Sequence, residues 1–160
     1  MNNYMKLEIM AKGENESFAR NVVAAFAVNL NPTLSALSDI KTAVSEAVTN
    51  CIVHAYPQDS KGKILIECEA KICETGGELH IRITDYGRGI KNTQEAIAPF
   101  YTSLPDDERT GMGFTIMQTF MDEFSLTSEV GKGTVVDMVK KIASMPIAEF
   151  VEADRERVDV

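Results

Sequence analysis

The chain has 160 residues, 44% of them hydrophobic, enough for one globular domain with a sizeable core. Its formal charge of −8 argues against nucleic acid or an anionic lipid surface as a direct partner, since both are held by a basic face. No apolar run is long enough to span a bilayer, and the opening MNNYMKLEIM lacks the apolar block of a secretory signal, so a cytoplasmic location and no membrane contact are expected.

In chain order, MKLEIMA (5–11) alternates and sets Met5, Leu7, Ile9 and Ala11 on one side, the period of a half-buried strand. After Gly13, Asn15 or Ser17 is expected to cap a helix running to about Leu30. Asn31-Pro32 stops it, because proline disfavours helical geometry in the residue before it. Thr33 then caps a longer helix that carries Leu37, Ile40, Val44, Ala47, Val48, Cys51 and Ala55 at helical spacing.

Pro57 to Gly62 reads as a loop. KILIECEAKI (63–72) and ELHIRIT (78–84) alternate around Thr75-Gly76-Gly77 and predict a hairpin. Between Gly87 and Gly113 glycine, proline and charge dominate, and a mobile loop is expected. FTIMQTFM (114–121) predicts a helix with Ile116, Met117, Phe120 and Met121 inward. FSLTSEV and TVVDMVKKI form a last hairpin around Gly131-Lys132-Gly133. The sum is an α+β two-layer sandwich, a mostly antiparallel sheet with helices on one face. Residues 1–143 make one domain and 144–160 an acidic tail outside the pattern.

Cys51, Cys68 and Cys73 are odd in number and lack the close pairs of metal sites, so they read as reduced, mostly buried thiols with no assigned chemistry. Four other features carry chemistry. Glu46, Asn50 and His54 follow at i, i+4 and i+8 and make one polar row on an otherwise apolar helix. Alone, such a row is better read as a solvent-facing stripe, because charged residues are usually exposed. DYGRG (85–89) ends a strand with an acid and two glycines, suited to a sharp turn near a ligand or to an ordinary Asx turn. RTGMGF (109–114) opens a helix with glycine amides beside an arginine, a setting that favours an anion. Gly131-Lys132-Gly133-Thr134 is a hairpin turn whatever else it does.

The order and spacing of these four features resemble the GHKL ATPases over about residues 5–142. Within that group, SFARNVVAAF, NPTLSALSDIKTAVSEAVTNCIVHAY and DDERTGMGFTIMQTFMDEF look like the anti-sigma factor serine kinases, most of all those of the sporulation anti-sigma F type. The general-stress anti-sigma kinases are the nearest alternative.

The resemblance implies an ATP site. Asn50 would coordinate a Mg2+ that bridges the phosphates, and Asp85 would accept from the adenine amino group. Gly87 and Gly89 would leave room for the base, with Thr134 supporting it through water. Gly111 and Gly113 would present amides to phosphate, with Arg109 near the γ-phosphate, and residues 91–110 would form a lid. Glu46 would act as general base toward an incoming serine, and His54 would be structural at the pocket edge. Two positions depart from the family: Leu104 stands where a lid lysine is frequent, leaving more to Arg109, and Ala55 stands where glycine is common.

By the same resemblance the partners would be a sporulation sigma factor, held more tightly with ATP than without, and an anti-anti-sigma factor phosphorylated on serine. Arg20 would be a partner contact, and the working unit a homodimer. A non-catalytic ATP-gated sigma-binding module and the detached catalytic domain of a histidine kinase are the alternatives. Intact Glu46 stands against the first, and the missing acceptor domain and short lid against the second.

Overall fold

A computed structural model describes residues 2–56, 61–99 and 112–143. A five-stranded sheet runs β1 (Asn3–Met10), β2 (Lys63–Cys73), β3 (Gly76–Asp85), β5 (Gly133–Ala143), β4 (Glu123–Glu129), and all four pairings are antiparallel. The expected α+β sandwich is thus met, with a wholly antiparallel sheet.

Alternation along the strands explains the two layers. In β2, Ile64, Ile66, Cys68 and Ala70 are buried, and in β3 Leu79, Ile81 and Ile83 are. Their neighbours face water, where Arg82 holds Asp137 across to β5 at 2.7 Å and Lys63 holds Glu8 at 2.9 Å. One apolar face needs covering, and the helices cover it. Helix α1 (Glu14–Ala27) buries Ala19, Val23 and Ala27, and α2 (Leu34–Asn50) buries Ile40, Ala43, Val44, Ala47 and Val48. The small alanines let the two helices lie close over the sheet.

Helix ends differ in part from expectation. Thr33 caps α2, accepting from the Ala36 amide at 3.1 Å. For α1 the cap is Gly13 with no side-chain bond, because the Asn15 amide donates back to the Met10 carbonyl at 2.9 Å. The first helix ends in a 3-10 turn, Val28–Leu30, and Asn31 takes a left-handed φ of 50° before Pro32.

The second helix does not continue as α to Ala55: Cys51–Ala55 is a π-helical turn. The span from Gly87 to Gly113 is not wholly irregular either. Asn92 caps a four-residue helix, α3 (Thr93–Ala96), whose Ala96 is buried. Helix α4 (Gly113–Phe120) packs Met117 inward, with Met121 buried just after it and Ile116 and Phe120 half-buried. Among the described residues no helix is long and apolar enough to cross a membrane. The tail beyond Ala143 lies outside the described residues.

Candidate functional site

Helix α2, the π turn, the end of β3, the start of α4 and the β4–β5 hairpin enclose a cavity of about 790 Å3. The polar row resolves toward this cavity. Glu46, Asn50 and His54 are half-buried and all three line it, so they are not a solvent stripe. The buried face of α2 carries Ala43, Ala47 and Val48, and the row lies beside it along the cavity.

Helix α4 starts against that row. A Cβ on Gly113 would lie 3.1 Å from Asn50 Nδ2 and 3.2 Å from Glu46 Oε2. Met112 provides no side-chain cap, and the first intrahelical bond runs from the Ile116 amide to Met112. The amides of Gly113, Phe114 and Thr115 therefore form the kind of helix N-terminus that receives an anion. Carboxylate, amide oxygen and helix N-terminus share one end of the cavity.

Asp85 defines the other end. It is the last residue of β3 and only 4% exposed. Gly87 N–H donates to its Oδ1 at 2.9 Å, and the Cys51 thiol donates to its Oδ2 at 3.7 Å. Burial pushes the Asp85 carboxyl above its ordinary range, opposed by those two bonds and by one from the Thr134 backbone. Burial also pushes the Cys51 thiol well up, with the Asp85 charge adding to it, so Cys51 stays an S–H donor.

The two glycines of the turn have a backbone reason to be glycine. A side chain on Gly87 would run into the Ala55 carbonyl, which also accepts the Arg88 N–H at 3.3 Å. Gly89 has φ +73° and lies against the Glu129 carbonyl, while Gly131 N–H reaches the Arg88 carbonyl at 2.8 Å. The turn is thus clamped between the π turn and the β4–β5 hairpin, and Asp85 is held by both sides.

Several residues that pattern reading passed over complete the clamp. Tyr56 accepts the Tyr86 N–H and donates to the Lys63 carbonyl at 2.9 Å, tying the π turn to β2 and β3. Ser128 accepts the Ile90 N–H at 2.7 Å, donates to the Gly133 carbonyl at 2.9 Å, and lies 2.8 Å from Thr134 Oγ1. With the serine proton on Gly133, the Thr134 hydroxyl donates to Ser128 and keeps its own lone pairs for the cavity. Cys51 is a buried, reduced thiol of the core, as expected, and it also stands in the cavity wall.

Arg20 is half-exposed and pairs with Glu16 at 3.1 Å. It also lines a shallower depression of about 480 Å3 between α1 and α2, together with Leu37, Lys41, Ser45 and Glu46. Ser45 and Glu46 line both hollows, so the depression adjoins the cavity at Glu46. Arg109, Gly111 and Leu104 lie outside the described residues, as does most of the expected lid.

Among the described residues no group of three or more His, Cys, Asp or Glu could hold a metal. The donor set at the row nevertheless fits magnesium, which favours oxygen, keeps several waters and needs few protein ligands when phosphates supply the rest. Asn50 supplies the neutral amide oxygen of that set at the cavity wall.

Known proteins resemble this chain in both sequence and fold. The histidine kinase-like ATPase domain family matches residues 9–140. The anti-sigma F factor of Clostridium perfringens (strain SM101 / Type A) is 54% identical over 142 residues, which cover 89% of this chain and 99% of that protein. That of Thermoanaerobacter sp. (strain X514) is 51% identical over 142 residues, 89% and 96% of the two chains. In fold, the RsbU and RsbW domains of Rv1364c from Mycobacterium tuberculosis match with a TM-score of 0.60 at 18% identity, over 89% of this chain and 33% of that one. The catalytic domain of histidine kinase ThkA matches with a TM-score of 0.51 at 14% identity, over 89% and 99%.

Proposed function

The chain belongs to the histidine kinase-like ATPase domain family and, within it, to the anti-sigma F factors; we propose that it binds ATP, sequesters a sporulation sigma factor, and phosphorylates an anti-anti-sigma factor on serine in the cytoplasm. The observation that carries the catalytic reading is the meeting of Glu46, Asn50 and the α4 N-terminus around Gly113.

In this reading the base sits at Asp85 and Thr134 and the phosphates at the opposite end. The amides from Gly113 to Thr115 receive phosphate oxygens, with Arg109 and Gly111 completing that end. Asn50 holds Mg2+, whose charge offsets that of the phosphates when bound. Glu46 accepts the proton of the incoming serine hydroxyl. The serine arrives through the depression beside Arg20 and Lys41, which shares Glu46 with the cavity. Phosphoryl transfer depends mostly on positioning and charge neutralisation, so the proton step contributes less than the alignment. The working unit is a homodimer, residues 1–143 the kinase domain and 144–160 an acidic tail.

The test is transfer from γ-labelled ATP with Mg2+ into an anti-anti-sigma protein, comparing wild type with Glu46→Ala. Acid-stable label on serine that disappears in Glu46→Ala, while ATP binding persists, is the expected result. Acid-labile label would indicate histidine and a histidine-kinase chemistry. Persistent transfer by Glu46→Ala would remove the base assignment. ATP binding with no transfer by wild type would leave an ATP-gated binder.

A further inference from the structure

A carboxylate offers about four lone-pair positions. At Asp85, Gly87 N–H donates to Oδ1 at 2.9 Å and the Cys51 thiol to Oδ2 at 3.7 Å, and the Thr134 backbone adds to these. The side chain is 4% exposed at the wall of the cavity, with acceptor capacity left for a ligand donor. Among the described residues, the thiol is the one side chain that donates to it.

We propose that Cys51 is a positioning residue for the nucleotide base: its S–H holds the Asp85 carboxylate in one orientation at the cavity wall, and so sharpens the preference for a purine with an amino group over one with a carbonyl. This inference rests on the nucleotide reading above. The thiol comes from the π turn and the carboxylate from the end of β3, so their bond also fixes the turn against the sheet at the cavity floor.

Without the thiol, Oδ2 would lose the side-chain donor that reaches it. A buried carboxylate so deprived either rotates or takes up a proton. Protonated, it becomes a donor itself and no longer tells an amino group from a carbonyl. The other titratable groups are Tyr56, just beyond the π turn, and His54, Arg88 and Lys91 on the cavity wall, with Glu46 at the cavity's far end. None of them replaces a proton donated to Oδ2 from beneath in the bonds at Asp85.

The experiment is equilibrium binding of Mg-ATP and of Mg-ITP, which carries a carbonyl in place of the amino group, to the full chain as wild type, Cys51→Ala and Cys51→Ser. Thermal unfolding of each variant checks that it is folded. Cys51→Ala is expected to lower the ATP-to-ITP affinity ratio about three- to tenfold, the worth of one lost hydrogen bond. Cys51→Ser, which keeps a donor, restores the ratio. A ratio unchanged in Cys51→Ala, equal losses for both nucleotides, or no recovery in Cys51→Ser would each overturn the inference and leave Cys51 as packing. A wild type that binds neither nucleotide, or binds both alike, would instead overturn the nucleotide reading on which it rests.

Discussion

Gly113 and Asn50 stand so close that a methyl group on Gly113 would lie 3.1 Å from the Asn50 amide nitrogen. The same methyl would sit 3.2 Å from Glu46 Oε2, so the first residue of α4 is fitted to two of the three residues of the polar row. Alanine is a good helix former, and the atoms it would press are the far ends of two side chains. Gly113→Ala should therefore change stability by no more than about 0.5 kcal/mol. It should lower ATP affinity or phosphoryl transfer about tenfold or more, because Asn50 and Glu46 must move by a few tenths of an ångström. Thermal unfolding and nucleotide binding on one preparation check the pair of outcomes. Normal binding and transfer would mean that the row tolerates displacement.

Tyr56 carries two backbone groups on one hydroxyl, the Tyr86 N–H and the Lys63 carbonyl. Tyr56→Phe keeps the ring over Gly62 and removes both bonds. The expected cost is about 1–2 kcal/mol, one lost hydrogen bond plus a poorly satisfied partner. ATP affinity should fall as well, since Tyr86 follows Asp85 directly. A loss of stability with unchanged affinity would show that the glycine contacts alone hold the turn.

Asp85 ties function to a cost in stability. Burial is the first cause of its raised pKa, so the folded chain binds that proton more tightly than the unfolded chain, whose ordinary value is about 3.9. The contribution to stability is full below that ordinary value and is lost as pH rises through the higher folded value. Asp85→Asn abolishes this ionisation. Its stability relative to wild type should therefore increase from about pH 4 toward pH 7, while its ATP binding is lost. Denaturant unfolding at several pH values reads the difference directly, and a difference flat in pH would sink the idea.

Among the described residues, the sheet, three of the four α-helices and both hairpins were legible because period-two and helical spacing persist over whole elements. The Glu46–Asn50–His54 row was legible as a row but not as a site. Its meaning depends on α4, 60 residues or more further along the chain, lying across it. Helix α3 spans four residues, too short for a helical period to show. The π turn is invisible in pattern, since Cys51 and Ala55 satisfy a spacing of four whether the turn is wide or not. Cys51 with Asp85, and Ser128 with Ile90, are pairs made by tertiary packing across 34 and 38 residues. Local chemistry of a thiol or a serine gives no hint of such partners.

Lys140 links the sheet to both helices that form the site. From β5 it reaches Asp39 of α2 at 3.0 Å and the carbonyl of Phe120, the last residue of α4, at 2.7 Å. The two side chains are 14% and 26% exposed, so solvent screens this pair less than the other ion pairs of the fold. Pinning the far end of α4 also fixes where Gly113 meets Asn50. Lys140→Met should cost about 1–3 kcal/mol, from the lost bonds and from the Asp39 charge left behind. Asp39→Asn should cost less, because the bond to Phe120 survives. A double-mutant cycle should show a coupling of about 0.5–3 kcal/mol that changes little between low and moderate salt. Additive effects, or a coupling abolished by salt, would demote the pair to a surface contact. If α4 is indeed held this way, Lys140→Met should also weaken ATP binding although Lys140 does not line the cavity; unchanged affinity would show that the helix N-terminus is fixed by its contact with α2 alone.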